Sequence, residues 1–217
     1  MGCTRGRRIL LVAVWLACAA CSRSGSLYGD VVVQAPAGAG NPAARLSVRL
    51  ILATAAFERD WAAALARFRE ELAPARRAAQ EAASEADQAR LAWDRVVGAP
   101  RGRRRDAGMA ARERELWRQL QAAERRQTQA RRREWEVAQR HGLLGAALLE
   151  QHTAQEVQTD GAGHYVFAAL PAGPAYLYAR VTQGARTLVW FHGVQVRAGA
   201  QQVDLTEASS RDWPFVP

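Results

Sequence analysis

The middle of the chain carries a heptad repeat, which limits the possible folds more than any other feature of the sequence. Its first arm has two rows of apolar residues at seven-residue spacing, Trp61, Phe68, Ala75, Ala82, Ala89 and Val96, and Leu65, Leu72, Ala79, Ala86 and Trp93. A seam of this length predicts a long helix that packs against another helix, and its alanines allow close approach. We expect Pro74 to kink or split this helix near Ala73.

A second, more interrupted seam follows a turn that is rich in glycine and proline, between Gly98 and Gly108. Its apolar members are Met109, Leu116, Leu120, Ala123, Ala130, Val137, Leu144 and Leu148. Gln127, Glu134 and His141 occupy polar positions of the same seam. We expect Asp106 to cap this returning helix and Gly142 and Gly145 to interrupt it. The two arms predict an antiparallel helical hairpin over residues 55–151.

The segments on both sides of the hairpin have the two-residue period of β-strands. Apolar residues alternate with other residues in three runs, Leu46 to Leu52, Tyr165 to Ala169 and Ala175 to Val181. Turn residues separate the last two runs from each other and from what precedes them, at 160–163 and 171–173. The sequence therefore predicts a β domain built from residues 28–54 and 152–207, followed by a C-terminal tail at 208–217.

The first turn, at 160–163, contains residues that each favour a tight turn for a physical reason. Asp160 is placed to accept backbone N–H bonds, Gly163 permits a positive φ, and Tyr165 and Phe167 point into one core. Residues 159–167, TDGAGHYVF, with LPAG at 170–173, resemble the signature of carboxypeptidase regulatory-like domains. The structural motif comprises Asp160, Gly163, Tyr165, Phe167, Leu170, Pro171 and Gly173.

This resemblance implies an α+β fold. The β part is expected to be a prealbumin-like (transthyretin-like) antiparallel β-sandwich, with the hairpin inserted between its second and third strands. Ala175 stands where the family usually has tyrosine, so we expect Trp190 or Phe191 to fill the gap. In the family the motif is structural, so the resemblance implies no catalytic residues.

The N-terminus reads as an export signal. Arg5, Arg7 and Arg8 precede an apolar stretch from Ile9 to Ala20, too short for an ordinary membrane span. Residues 16–21, LACAAC, resemble the lipobox of bacterial lipoproteins, although Cys18 replaces the usual leucine. We expect a signal peptide at 1–20, lipid attachment at Cys21 and a tether at 21–27. Ser22 resembles an outer-membrane sorting signal, and the alternative is a plain secretory peptide.

The charge is strongly basic and is carried by arginine alone. The formal net charge is +9, and no lysine is present. For an exported protein this favours anionic lipid or polysaccharide over nucleic acid as a partner. Candidate anion-binding residues lie at the hairpin tip, Arg101, Arg103, Arg104 and Arg105. The alternative is a solvated, arginine-biased surface.

No arrangement of residues predicts catalysis, a cofactor or a metal site. His141, His152, His164 and His192 lack ligand-like spacing, and all three cysteines lie within the first 21 residues. Asp160 with Asp204 allows a calcium-binding loop, but a structural turn is the commoner use of Asp160. Tyr176, Tyr178 and Trp190 allow a sugar-stacking surface, although core packing is the simpler interpretation.

The sequence therefore predicts a non-catalytic, lipid-anchored cell-envelope protein. Its hairpin is expected to act as a scaffold or protein-interaction module, by binding an envelope protein or a second copy. The alternative is an envelope ligand-binding module for glycan, peptidoglycan or lipopolysaccharide, using the sandwich loops or the arginine-rich tip.

Overall fold

The computed structural model describes residues 24–34, 40–98, 107–183, 186–211 and 213–216. Within these ranges the chain is mixed α and β, with two long helices and two sheets, which confirms the predicted class. It forms two compact units. The β unit contains the described residues up to Ala53 together with His152–Arg211, and the helical unit contains Thr54–Gln151 together with residues 213–216.

The first sheet is built around β1 (Gly25–Gln34). β2 (Gly40–Pro42) and β5 (His164–Leu170) pair with it antiparallel. The short strands β8 (Gly199–Gln202) and β9 (Leu205–Thr206) pair with it in parallel, and a 3₁₀ turn follows at Glu207–Ser209.

The second sheet consists of β3 (Ser47–Leu52), β4 (Thr153–Gln158), β6 (Gly173–Gln183) and β7 (Arg186–Val196). It is antiparallel throughout, in the order β4-β3-β6-β7. Side chains from both sheets share one buried cluster, which includes Val31, Val48, Phe167, Leu177 and Trp190. The alternation that predicted these strands therefore reflects one common core.

Two details of the β unit differ from the expectations. The helices follow the third strand rather than the second, because the predicted loop before β3 contains β2, which pairs with the end of β1. Ala169, which the alternation placed in the core, is exposed and has a left-handed backbone conformation with a φ of 55°. This conformation interrupts the alternation, so the next residue, Leu170, lies in the core and is 1% exposed. Trp190 fills the core, as one of the two expected candidates, whereas Phe191 lies on the other face of β7 and stacks on Tyr176.

The helical unit consists of α1 (Ala55–Val97) and α2 (Ala107–Gln151). α1 runs through Pro74 as one helix, so the expected split is wrong. Pro74 removes only its own N–H, which would have bonded the carbonyl of Glu70. The packing of the helix on α2 outweighs this loss.

Gly142 and Gly145 do not interrupt α2, contrary to the expectation. Gly145 instead makes room for Phe215, in the last part of the predicted tail, whereas Gly142 lies at ordinary contact distance from Trp213. A Cβ at Gly145 would lie 2.3 Å from Cε2 of Phe215, whereas a Cβ at Gly142 would lie 3.4 Å from Nε1 of Trp213. Phe215 is 2% exposed and packs against Phe68 and Trp61 at ring-centroid distances of 5.3 and 5.5 Å.

This packing predicts a non-additive pair of substitutions. Phe215→Ala should destabilise the helical unit by about 3 kcal/mol, because it empties a buried aromatic site. Gly145→Ala alone should also destabilise it, since its methyl group meets the ring of Phe215. In the Phe215→Ala background the same change should instead stabilise by roughly 0.5–1 kcal/mol through helix propensity.

Urea denaturation followed by the helical circular dichroism signal measures these free energies of unfolding. Gly142→Ala is the matched control, because its methyl group has only ordinary contact with Trp213. Additive effects of Gly145→Ala and Phe215→Ala would contradict the packing described here.

Candidate functional site

Both ends of α1 are fixed by local hydrogen bonds. The hydroxyl of Thr54 accepts the backbone N–H of Phe57 at 3.2 Å, which satisfies one donor of the first turn. At the other end the N–H of Gly98 bonds the carbonyl of Asp94 at 2.8 Å. The helix therefore begins directly after β3 and reaches the start of the predicted tip.

The two helices are held by the predicted seam, with small residues at its centre. α1 buries Ala79, Ala82 and Ala86 there, and α2 buries Leu120 and Ala123. Small side chains let two helix axes approach closely, so the alanines of α1 bring it close to α2 in the middle of the hairpin. Trp93 and Trp117 continue the contact towards the tip, with their rings 5.2 Å apart.

The seam moves by one residue in the second half of α2. Ala138 is buried at 4% exposure where Val137 was expected, and Leu144, a predicted seam residue, is 52% exposed. The prediction for Leu144 is wrong because an α-helix has 3.6 residues per turn. A strict seven-residue pattern therefore drifts by about 20° per heptad, and Gly145 takes the inward position.

Ion pairs connect the helices along the flanks of the seam. Arg90 pairs with Glu124 at 2.9 Å and Arg126 with Glu85 at 3.1 Å, while Arg76 pairs with Glu134 at 3.3 Å and Arg140 with Glu71. Most of these side chains are well exposed, so each pair contributes about 0–1 kcal/mol. Their main effect is to select the antiparallel register.

His141 lies in this seam and is 4% exposed. Its ring packs 5.5 Å from that of Phe68, and its Nε2 lies 3.3 Å from a carboxylate oxygen of Glu71 without forming a hydrogen bond of good geometry. The arrangement is that of a core histidine. Among the described residues no group of three or more His, Cys, Asp or Glu is placed to hold a metal ion.

The helices carry most of the exposed large apolar side chains. Nine such residues are exposed in the described part of the chain, and six lie on α1 or α2, Leu91, Val97, Trp117, Trp135, Leu143 and Leu144. Sequence periodicity missed this feature, because it identifies inward positions and does not evaluate the outward ones. No described helix has both the length and the apolar content to cross a membrane.

Several predicted site residues lie outside the described residues. These are Cys21 and the tip arginines Arg101, Arg103, Arg104 and Arg105. Asp106, the expected cap of α2, lies outside them as well.

The first two motif residues of the β unit, Asp160 and Gly163, form one turn before β5. One carboxylate oxygen of Asp160 accepts the N–H groups of Ala162 and His164 at 2.8 and 2.9 Å. These backbone donors, that of His164 first, lower the pKa of Asp160. Gly163 has a φ of 85°, in the region that favours glycine. Asp160 therefore has the structural role that its position in the sequence indicated.

His164 links this turn to β1. Its Nδ1 hydrogen-bonds a carboxylate oxygen of Asp30, 134 positions away in the sequence. This hydrogen bond raises the pKa of the imidazole, and the charges of Asp30 and then Asp160 add to the effect. Sequence reasoning placed His164 among scattered histidines, because a partner this distant leaves no local pattern.

Tyr165 is anchored on the core side of the same strand. Its hydroxyl donates to the carbonyl of Val203, and burial raises its pKa, with smaller effects from the charges of Asp204 and Asp30. Asp204 accepts the N–H of Asp30 at 3.1 Å. These contacts fasten the segment between β8 and β9 to β1 and β5, which is a structural function.

Two of the three candidate aromatic residues pack inward, which agrees with the simpler interpretation of the sequence and not with a sugar-stacking surface. Trp190 is fully buried, and its Nε1 donates to the carbonyl of Thr206 at 2.7 Å. Tyr178 is 8% exposed. Tyr176 stacks instead on Phe191, with ring centroids 4.8 Å apart and planes within 3°. The structure therefore pairs Tyr176 with a residue that the prediction did not include.

Known proteins resemble this chain only weakly. No protein-family model matches the sequence. No curated protein matches it either.

Among solved structures, a Pseudomonas aeruginosa protein, PA1324, provisionally described as a carbohydrate binding protein, is 14% identical, with a TM-score of 0.33. The match covers 87% of this chain and 92% of that one. Two structures of the pilus protein RrgB from Streptococcus pneumoniae are 13% identical, with TM-scores of 0.25 and 0.26. They match 80% and 83% of this chain but only 35% and 30% of their own. These scores are too low to carry a function across.

The contact between His164 and Asp30 gives a pH-dependent prediction. Asp30→Asn should lower the pKa of His164 towards its usual value of 6.5, as measured by NMR titration of the imidazole. A raised folded-state pKa stabilises the fold below the usual value, and this stabilisation is lost as the pH rises through the raised pKa. Asp30→Asn should reduce this pH dependence of stability, with a smaller part remaining from the charge of Asp160.

Asp204→Asn serves as the control, because Asp204 does not contribute to the shift of His164. An unchanged titration of His164 in the Asp30→Asn protein would contradict the assignment of Asp30 as the cause.

Proposed function

We propose that this protein is an exported, lipid-anchored cell-envelope protein whose helical unit binds another envelope protein. The supporting observation is the set of large apolar side chains that α1 and α2 expose. Leu143 and Leu91 are 69% and 56% exposed, which leaves a large part of each side chain in contact with water. A partner that covers them would remove this surface from water.

The hairpin itself does not need most of these side chains. Its seam is filled by buried residues of both helices, and its base is closed by Phe215. Trp117 adds a contact with Trp93, whereas Leu91 and Leu143 remain mostly exposed. Such residues are available for a second interface, which favours an interaction module over a purely structural insertion.

For the β unit we propose a prealbumin-like sandwich of the carboxypeptidase regulatory-like kind. The support is the shared core of the two sheets and the turn formed by Asp160 and Gly163. The role proposed for this unit is non-catalytic. It carries the helical unit, whose ends join the neighbouring strands β3 and β4.

The alternative is a ligand-binding module that takes a glycan, peptidoglycan or lipopolysaccharide. Its support is the stacked pair of Tyr176 and Phe191, since flat aromatic faces suit the apolar faces of sugars. In this alternative the β unit binds the ligand. One experiment distinguishes protein binding by the helical unit from ligand binding by the β unit.

Site-specific photo-crosslinking in the producing cells tests the proposal. A photoreactive residue at Leu91 or Leu143 should give a discrete protein adduct of the envelope fraction, because these positions lie on the proposed interface. The matched control is Val166, which is 59% exposed on the β unit. Adducts from Val166 alone would overturn the proposal, and so would glycan adducts with none from the helices.

The lipid anchor has its own test. Cells that produce the protein should incorporate radiolabelled palmitate into it, and Cys21→Ala should abolish the label, because the thiol of Cys21 takes the diacylglyceryl group that carries the acyl chains. Cys18→Ala is the control and should keep most of the label. Continued labelling of the Cys21→Ala protein would refute attachment at this residue.

A further inference from the structure

The two helices differ in charge. α1 carries seven arginines and eight acidic residues, whereas α2 carries nine arginines and six glutamates. The excess of positive charge in the described part of the hairpin therefore belongs to α2. This charge is independent of the tip, which lies outside the described residues.

Three of the α2 arginines form a row on the outer side of the helix. Arg118, Arg125 and Arg132 are seven residues apart, so they stand one above another at every second turn. All three are exposed, and the buried seam residues Leu120 and Ala123 lie on the opposite side. The row therefore faces away from α1.

These arginines form only weak ion pairs, or none, with other residues in the described part of the protein. Arg118 pairs with Glu115 and Arg132 with Glu136 on the same helix, and the arginine side chains remain 74% and 77% exposed. Such exposed pairs exchange readily for other anions. Arg125 has no ionic partner among the described residues, so its guanidinium group is available to an anion outside the protein.

Two tryptophans flank this row. Trp117 and Trp135 are eighteen residues apart, which is five full turns, so their Cα atoms lie on the same side of the helix about 27 Å apart. The ring of Trp117 also contacts that of Trp93 of α1. They are 43% and 55% exposed. Trp117 borders a shallow groove together with Arg114 and Arg118.

A second groove lies between the tryptophans. It is bordered by Arg125 and Arg132 together with the uncharged polar residues Gln121, Thr128 and Gln129, and by Glu124. Glu124 is already paired with Arg90 of α1. The face therefore combines forked cations and polar amides with two amphipathic indoles.

We propose that this arginine–tryptophan face of α2 docks on a bilayer of anionic phospholipid. Guanidinium groups bind lipid phosphates through two parallel hydrogen bonds, and indoles prefer the depth of the lipid headgroups. A flat surface contacts both indoles and the whole arginine row at once. The inference rests on the proposed function, because the lipid anchor supplies the nearby bilayer.

The test uses the full chain with Cys21→Ala, which carries no acyl group, in flotation with two kinds of vesicles. One kind is phosphatidylcholine alone, and the other also contains phosphatidylglycerol. The ratio of the two partition coefficients is the readout, since the apolar N-terminal segment is common to every variant. We expect a ratio of about tenfold or more, which falls as salt is added.

The triple substitution Arg118→Gln, Arg125→Gln and Arg132→Gln should bring this ratio close to one. The matched control, Arg69→Gln, Arg77→Gln and Arg95→Gln, removes the same charge from exposed positions of α1 and should keep the ratio. Circular dichroism verifies that both triple variants fold. Equal losses in the two variants would overturn the proposal, because the effect would then depend only on net charge.

A soluble acidic polysaccharide, alginate, provides the competing outcome. If the original chain shows no preference for anionic vesicles but binds alginate through the same three arginines, the face recognises polysaccharide and the lipid proposal is wrong. The vesicle assay needs no acylation and no protein partner. Its failure is therefore distinguishable from failure of the labelling or crosslinking experiments.

Discussion

The pairing of β3 with β4 is the contact on which the rest of the structure depends. These neighbouring strands, with Val48 opposite Val157, are separated in sequence by the whole helical segment. A flexible loop of that length would make the pairing entropically expensive. Two antiparallel helices avoid this cost, because the second helix returns the chain to the region where the first one left it. Strand pairing and helix pairing therefore stabilise each other.

Small residues determine where the large ones pack. In the middle of the seam alanines bring the helices together, and at the base Gly145 leaves the space that Phe215 occupies. In the β unit Ala175 and Ala179 lie in the same core as Trp190. At the base of the hairpin this packing couples Gly145 to an aromatic side chain that is distant in sequence, which explains why the changes at Gly145 and Phe215 should not be additive.

The surface chemistry differs between the two units. In the β unit the ionisable groups near the Asp160 turn are occupied by the fold: Asp160 with backbone donors, His164 with Asp30, and Tyr165 with Val203. In the helical unit the seam uses apolar residues and leaves arginines and tryptophans exposed. Both proposals, a protein partner and a bilayer surface, follow from this difference, and both concern broad contact surfaces.

The sequence alone determined the elements whose signals are local. Heptad spacing predicted both helices, alternation predicted β3 and β6, and the TDGAG segment predicted the turn at Asp160. Only the tertiary structure decided which residue of a seam faces inward after several turns, as with Leu144 and Gly145. It also decided that Gly145 leaves space for the ring of Phe215, and that His164 meets Asp30. Periodicity reports how neighbouring residues repeat along an element, whereas these outcomes depend on side chains that folding brings from distant parts of the chain.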